Sequence, residues 1–241
     1  WSSDVCSSDL NDFESAVARG LEMIAEGVDI IDIGGESTRP GADRVSEAEE
    51  IARTIPVIKE LAKHGVKISI DTMRASTAEA AINAGASIIN DVSGGLADPL
   101  MLQTAARLKV PYISMHWRGQ SKDMNSKAIY GDVVSDVISE LQERIDAALD
   151  AGISRDKLII DPGLGFAKDA DHNWTIIDAM DQFVAMGYPV LVGASRKRFL
   201  GGDSPDEREQ ATINLTKRLA PTGVWAVRVH SVKPHKEVLS A

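Results

Sequence analysis

The chain has a single cysteine, Cys6, in 241 residues. One thiol excludes a disulfide framework and a cysteine metal cluster. Basic residues are outnumbered, 26 against 36, leaving a formal net charge of -10. That argues against a general nucleic-acid or membrane-surface binder, while a locally basic pocket for a small anion stays open. No apolar run approaches the roughly 20 residues of a transmembrane helix. The five histidines, His64, His116, His172, His230 and His235, include no pair at zinc-ligand spacing. His64 and His235 are expected to be solvated, and His116, at a strand end, either lines a pocket or caps one. Neither a Gly-x-Ser-x-Gly elbow nor a Gly-Lys-Ser/Thr phosphate loop occurs, and no Gly-x-Gly-x-x-Gly follows the first visible strand. Trp117, Trp174 and Trp225 read as packing residues rather than base-stacking platforms.

Hydrophobic residues make up 44% of the chain, enough for a substantial core. Beyond Leu10 two textures alternate: short β-branched runs ending in Gly or Asp, and longer stretches rich in Ala, Glu, Leu and Lys. Helices are predicted over 12–26, 47–63 (with Pro56 inside), 76–84, 99–108, 133–151, 173–186 and 206–219, with another beginning at Val232. Strands are predicted over 28–33, 66–70, 87–90, 111–115, 158–160, 189–192 and 224–229. Seven nearly all-apolar strands, each preceded by a helix, imply a parallel sheet. With one further strand upstream they make an α/β fold, the TIM (β/α)8 barrel, which takes about 250 residues. The expectation is a barrel with its first strand missing and its last helix shortened. It occupies residues 11–241 as one domain. The first ten residues, Trp1 to Leu10, have no apolar period and resemble the translation of a sequencing adaptor, so they are expected to be a non-native tail.

In such a barrel the chemistry gathers at the C-terminal ends of the strands. The polar residues lie there: Gly34-Gly35-Glu36-Ser37-Thr38-Arg39-Pro40-Gly41, Asp71-Thr72, Asn90-Asp91, His116-Trp117, Asp161-Pro162-Gly163-Leu164-Gly165-Phe166, Ser195-Arg196-Lys197-Arg198 and Arg228-Val229-His230. Any one could be a helix cap; seven on one rim indicate a site. Carboxylates and an amide at Asp71, Asn90 and Asp161 suit a flat heterocycle carrying N–H donors and a carbonyl, which Lys197 could meet. Arg228 and His230 flank Val229 and point to one side of the strand, an arrangement suited to phosphate or pyrophosphate. A salt bridge from Arg228 to a neighbouring acid is the structural alternative.

These motifs, with Ile31-Asp32-Ile33 and Ser69-Ile70 leading into two of them, resemble dihydropteroate synthase from about Asn11 to about Val232. The resemblance implies condensation of (7,8-dihydropterin-6-yl)methyl diphosphate with 4-aminobenzoate, giving 7,8-dihydropteroate and pyrophosphate in folate biosynthesis. It implies pterin contacts from Asp71, Asn90, Asp161 and Lys197, and diphosphate contacts from Thr38, Arg228 and His230. It places 4-aminobenzoate against Thr38, Arg39, Pro40, Phe166 and Arg198, where many family members carry serine in place of Arg198. Lys197, Arg228 and His230 would be the catalytic residues. It further implies Mg²⁺, a cytoplasmic homodimer with small-molecule partners only, and membership of a family that sulfonamides target. The family opens with an Asn-Val-Thr-Pro-Asp-Ser-Phe type of loop whose asparagine meets the metal. That loop is absent here, so no metal ligand is assigned in this chain. Two other readings remain: a methyltetrahydrofolate:corrinoid methyltransferase-like pterin barrel, and a catalytically silent binding paralogue.

Overall fold

A computed structural model describes residues 2–6, 13–36, 44–119 and 124–240. Eight parallel strands alternate with helices: β1 (Ser2–Cys6), α1 (Phe13–Ala25), β2 (Ile30–Gly34), α2 (Glu47–Ala62), β3 (Lys67–Asp71), α3 (Ala75–Ala84), β4 (Ile88–Asp91) and α4 (Met101–Leu108). Then follow β5 (Tyr112–Met115), α5 (Val133–Asp150), β6 (Leu158–Asp161), α6 (Ala170–Asp178), α7 (Met180–Val184), β7 (Leu191–Val192), α8 (Glu207–Leu219), β8 (Ala226–Val229) and α9 (Lys233–Ser240). The strand order is β6-β5-β4-β3-β2-β1-β8-β7. A parallel bridge between Ile160 and Val190, with the Ile160 amide donating to the Pro189 carbonyl at 2.9 Å, links the two ends of that order.

The expectation of a missing first strand is corrected. Ser2–Cys6, inside the stretch assigned to a tail, pairs in parallel with Ile30–Gly34 on one side and with Arg228–Val229 on the other. Facing edges of β2 and β8 would otherwise each present a row of unpaired amides and carbonyls. A backbone ladder satisfies them with any extended segment, so the family's own loop sequence is not needed to fill the position.

Alternate strand residues serve two different cores, as a period of two requires. Ile31, Ile33, Ile68, Ile70, Ile89, Tyr112, Leu158, Ile160, Val190, Val192, Val227 and Val229 pack outward with the helices, joined by Val57, Ile58 and Leu61 of α2 and Val137, Leu141 and Ile145 of α5. The intervening residues Ile30, Ile88, Ile113, Ile159, Leu191 and Ala226 form a separate apolar cluster inside the ring. Two residues further along each strand, the same inward face carries Asp32, Ser69, Asn90, Met115, Asp161, Gly193 and Arg228. An apolar floor therefore supports a polar layer on the side where the strands end.

The helix bounds agree with the sequence reading to within a residue or two, except between Asp169 and Met186. There the helix starts earlier, because the Asp169 carboxylate caps it by accepting from the His172 amide at 2.8 Å, and it breaks at Ala179. Pro56 lies inside α2, where the helix continues to Ala62.

Candidate active site at the strand ends

Asp32 is the hub of the polar layer. It is 1% exposed and accepts from the Ser69 hydroxyl, from Asn90 Nδ2 at 2.9 Å and from Arg228 Nη1 at 3.0 Å. A second carboxylate oxygen, on Asp71, lies 4.0 Å from the same Arg228 nitrogen. The Arg228 guanidinium is thus held between two acids, and the expected salt bridge and the expected anion site share one residue. The sequence reading overlooked Asp32. Its signal was there: a charged residue at the middle of the apolar run Ile30 to Ile33, on the same face as Ile30 and Gly34.

Among the described residues, two acceptors of this layer have no hydrogen-bond partner: Asn90 Oδ1 and Asp161 Oδ2, on residues each 1% exposed. The other Asp161 oxygen accepts from the Gly163 amide at 2.7 Å. Buried acceptors without donors are costly, so the pair marks a place where a ligand's N–H groups belong. Asp91, next to Asn90, points the opposite way. It accepts from Ser93 and Gly95 amides and from the Ser93 and Tyr112 hydroxyls, all between 2.7 and 2.8 Å. Burial raises its pKa, against the pull of those donors. Asp91 is a loop organiser behind the barrel wall.

Lys197 follows β7. Its ammonium donates to the Leu164 carbonyl and stands 4.6 Å above the Phe166 ring centre, a cation–π distance. Phe166 is buried with Met73, Val92, Met115 and Ala167. The structure therefore brings Lys197 and Phe166 together. His230 leaves β8 with its amide and its Nδ1 both on the Ser195 hydroxyl, at 3.2 and 2.9 Å. Ser195 and the adjoining Arg196, at φ 57°, form the β7 turn, and Glu209 of α8 holds that turn through Arg196 Nε at 2.8 Å. The same Glu209 accepts from the Ser231 hydroxyl, so one carboxylate fixes the ends of both β7 and β8. Asp32, Asp71, Asn90, Asp161 and Arg228 line one cup, with Lys197 and His230 on its rim.

A family profile described as "Pterin binding enzyme" matches residues 2–230. A dihydropteroate synthase of Mycobacterium leprae is 48% identical over 238 residues, covering 95% of this chain and 84% of that one. The chain belongs to the dihydropteroate synthase family. Among solved members, the Xanthomonas albilineans dihydropteroate synthase with 4-aminobenzoic acid superposes with a TM-score of 0.92 at 38% identity, covering 99% of this chain and 90% of that one. The same species' enzyme in complex with 7,8-dihydropteroate superposes at 0.90 with 34% identity, again covering 99% and 90%.

Of the residues expected to meet 4-aminobenzoate in a dihydropteroate synthase, Phe166 and Arg198 are among the described ones. Thr38, Arg39 and Pro40 lie outside the described residues. Arg198 is exposed and begins a short 3₁₀ turn after Lys197. His64 is exposed as expected, but His235 is 1% exposed on α9, with Nδ1 2.8 Å from the Thr216 hydroxyl. The α8–α9 packing buries it, which the short sequence beyond Val232 did not reveal. His116 is also buried, bridging Glu140 and Lys168 at 2.9 Å each. Burial, aided by the Lys168 charge, lowers its pKa to about 4, so it is neutral at ordinary pH. Trp174 and Trp225 are partly exposed rather than packed inside; Trp174 meets Phe199 edge-on at 5.8 Å.

Proposed function

We propose a division of labour among these residues. The chain's function is dihydropteroate synthesis: it condenses (7,8-dihydropterin-6-yl)methyl diphosphate with 4-aminobenzoate, releasing pyrophosphate. The observation that carries the residue assignment is the pair of buried acceptors without donors, Asn90 Oδ1 and Asp161 Oδ2. A pterin edge supplies adjacent N–H donors for such a pair. Asp71 adds a third acceptor at the same mouth, and Lys197 supplies a donor for the ring's carbonyl or nitrogen. Arg228 and His230 take the diphosphate.

The reaction breaks the bond between the methylene carbon and the diphosphate oxygen and forms a bond from that carbon to the arylamine nitrogen. The dihydropterin ring delocalises positive charge as the leaving group departs. Arg228, preset between Asp32 and Asp71, meets the negative charge that develops on the pyrophosphate. Fixed donors aimed at developing charge lower a barrier because they need no reorganisation. The arylamine is a free nucleophile at neutral pH, so attack needs no strong base; the amine then loses its proton. Phe166 walls the approach for the aromatic amine, and the family resemblance assigns Thr38, Arg39, Pro40 and Arg198 to the same substrate.

Mg²⁺ belongs to the proposal as a companion of the diphosphate. Among the described residues no group of three His, Cys, Asp or Glu side chains converges to hold a metal. Such an ion would be carried mainly by phosphate oxygens and water, a common arrangement for Mg²⁺. A homodimer and a cytoplasmic location extend the family resemblance; among the described residues no helix is long and apolar enough to cross a membrane. The test is pyrophosphate release dependent on 4-aminobenzoate, in the natural chain and in Lys197→Ala. Turnover should be lost in the variant; full turnover contradicts the pocket assignment.

A further inference from the structure

Lys168 plays no part in the chemistry above, yet it is a buried lysine, 8% exposed, directly behind the candidate pterin pocket. Its ammonium has three acceptors: His116 Nδ1 at 2.9 Å, the Gly163 carbonyl at 3.0 Å and the Phe166 carbonyl at 3.0 Å. Three N–H donors meet three acceptors, so the ammonium is fully used. For His116 Nδ1 to accept, the ring proton must lie on Nε2, where it donates to Glu140 Oε2 at 2.9 Å. Arg118 engages the same Glu140 through Nε at 3.0 and 3.1 Å. A chain of bonds therefore runs from α5 through the end of β5 to the loop after β6.

That loop carries the pocket. Gly163 donates its amide to Asp161 Oδ1, which leaves Oδ2 for a ligand. Leu164 offers its carbonyl to Lys197, and Phe166 forms the wall under that ammonium. Gly163 itself sits at φ 68° against the His116 carbonyl. The two loop carbonyls that Lys168 grips bracket Leu164, whose own carbonyl takes Lys197.

We propose that Lys168 is a positioning residue for pterin binding: by holding the carbonyls of Gly163 and Phe166 against His116, it sets the orientation of Asp161 and of the Leu164 carbonyl that takes Lys197. This rests on the pterin pocket assigned above. The grip depends on charge. The groups facing the ammonium are His116 and Arg118 after β5, Glu140 of α5, Asp161 of β6 and Lys197 after β7. Burial lowers the Lys168 pKa to about 7, and Lys197 and Arg118 add to that, with Asp161 and Glu140 opposing.

The experiment compares Lys168→Met, His116→Ala and Asp161→Ala with the unchanged chain. Calorimetry measures binding of 6-hydroxymethylpterin, which has no diphosphate, and separately of pyrophosphate. Melting curves establish folding. Lys168→Met should bind the pterin about tenfold more weakly, the equivalent of one lost buried hydrogen bond, with pyrophosphate binding unchanged at Arg228 and His230. His116→Ala, which removes one of the three acceptors, should shift pterin binding in the same direction by a smaller factor, and it decides the matter if Lys168→Met does not fold. Unchanged pterin binding in the folded variant overturns the proposal. So does a parallel loss of pterin and pyrophosphate binding, which would mean general damage. Asp161→Ala separates the two levels: if it too leaves pterin binding intact, the pocket reading fails and not the clamp alone.

Discussion

Replacing Asp32 by asparagine isolates the hub of the polar layer. The amide keeps one acceptor, enough for the Ser69 hydroxyl. Its new NH₂ then faces Asn90 Nδ2 and Arg228 Nη1, which lie 2.9 and 3.0 Å from the lost oxygen. Asn90 can turn its own amide over and so recover a bond, but this swings its ligand-facing acceptor away from the pocket and puts a donor there. Arg228 Nη1 loses its bond to Asp32, and the nearest Asp71 oxygen stands 4.0 Å from that nitrogen. A hydrogen bond to a charged group contributes about 1.5–3 kcal/mol, and the Arg228 side chain is only 10% exposed. The expected destabilisation is about 2 kcal/mol, or a drop of about 1 M in the urea midpoint at a slope near 2 kcal/mol per M. Pterin affinity should fall at least about tenfold for the one inverted contact. Urea unfolding followed by tryptophan fluorescence gives the first quantity and pterin titration the second. A midpoint and an affinity both indistinguishable from the parent would refute the role given to Asp32.

Gly163→Ala would place a Cβ 2.5 Å from the His116 carbonyl oxygen at a residue with φ 68°; the backbone cannot yield there, so a loss of about 2 kcal/mol or more is expected in thermal or urea unfolding. Neutral, buried His116 has a folded pKa near 4, below the ordinary value of about 6.5. Its contribution to stability is therefore present above about pH 6.5 and is lost as the pH falls toward 4. Glu140, held near 2 chiefly by the His116 hydrogen bond and by Arg118, extends the loss below about 4.5. Melting temperatures recorded from pH 7 to 4 should fall more steeply in the parent than in His116→Asn, and parallel curves would contradict the assignment. Chelation of Mg²⁺ should stop turnover and leave the melting temperature unchanged; a large thermal shift would point to a metal held by the chain itself.

The fold was readable because buried parallel strands announce themselves as apolar runs and their helices as Ala- and Leu-rich stretches between them. The break at Ala179 was not, since neither glycine nor proline marks it. The strand at Ser2–Cys6 was hidden for a different reason: its pairing is a demand of the neighbouring edges, and no side-chain pattern records it. Within the site, Asp71, Asn90, Asp161, Lys197, Arg228 and His230 stood out as polar residues ending apolar strands. Asp32 lies two residues earlier on its strand and looked like part of the run. Lys168 sits in a loop after the motif, where sequence gives no sign that the backbone will fold over it. Burial of that kind depends on which carbonyls turn inward, and only the three-dimensional loop decides it.

Neighbouring positions on one strand here serve unrelated tasks. Asn90 offers an acceptor to the pocket while Asp91 organises the loop behind the wall. A one-residue deletion within β4 would exchange those duties, sending an acid into the cup and an amide into the outer core, and would turn Ile89 the wrong way as well. Strands of this kind are closed to changes in length, though their individual side chains remain open to replacement. New specificity in such a barrel must come from substitution in place or from loops that lengthen beyond the rim, where no register has to be kept.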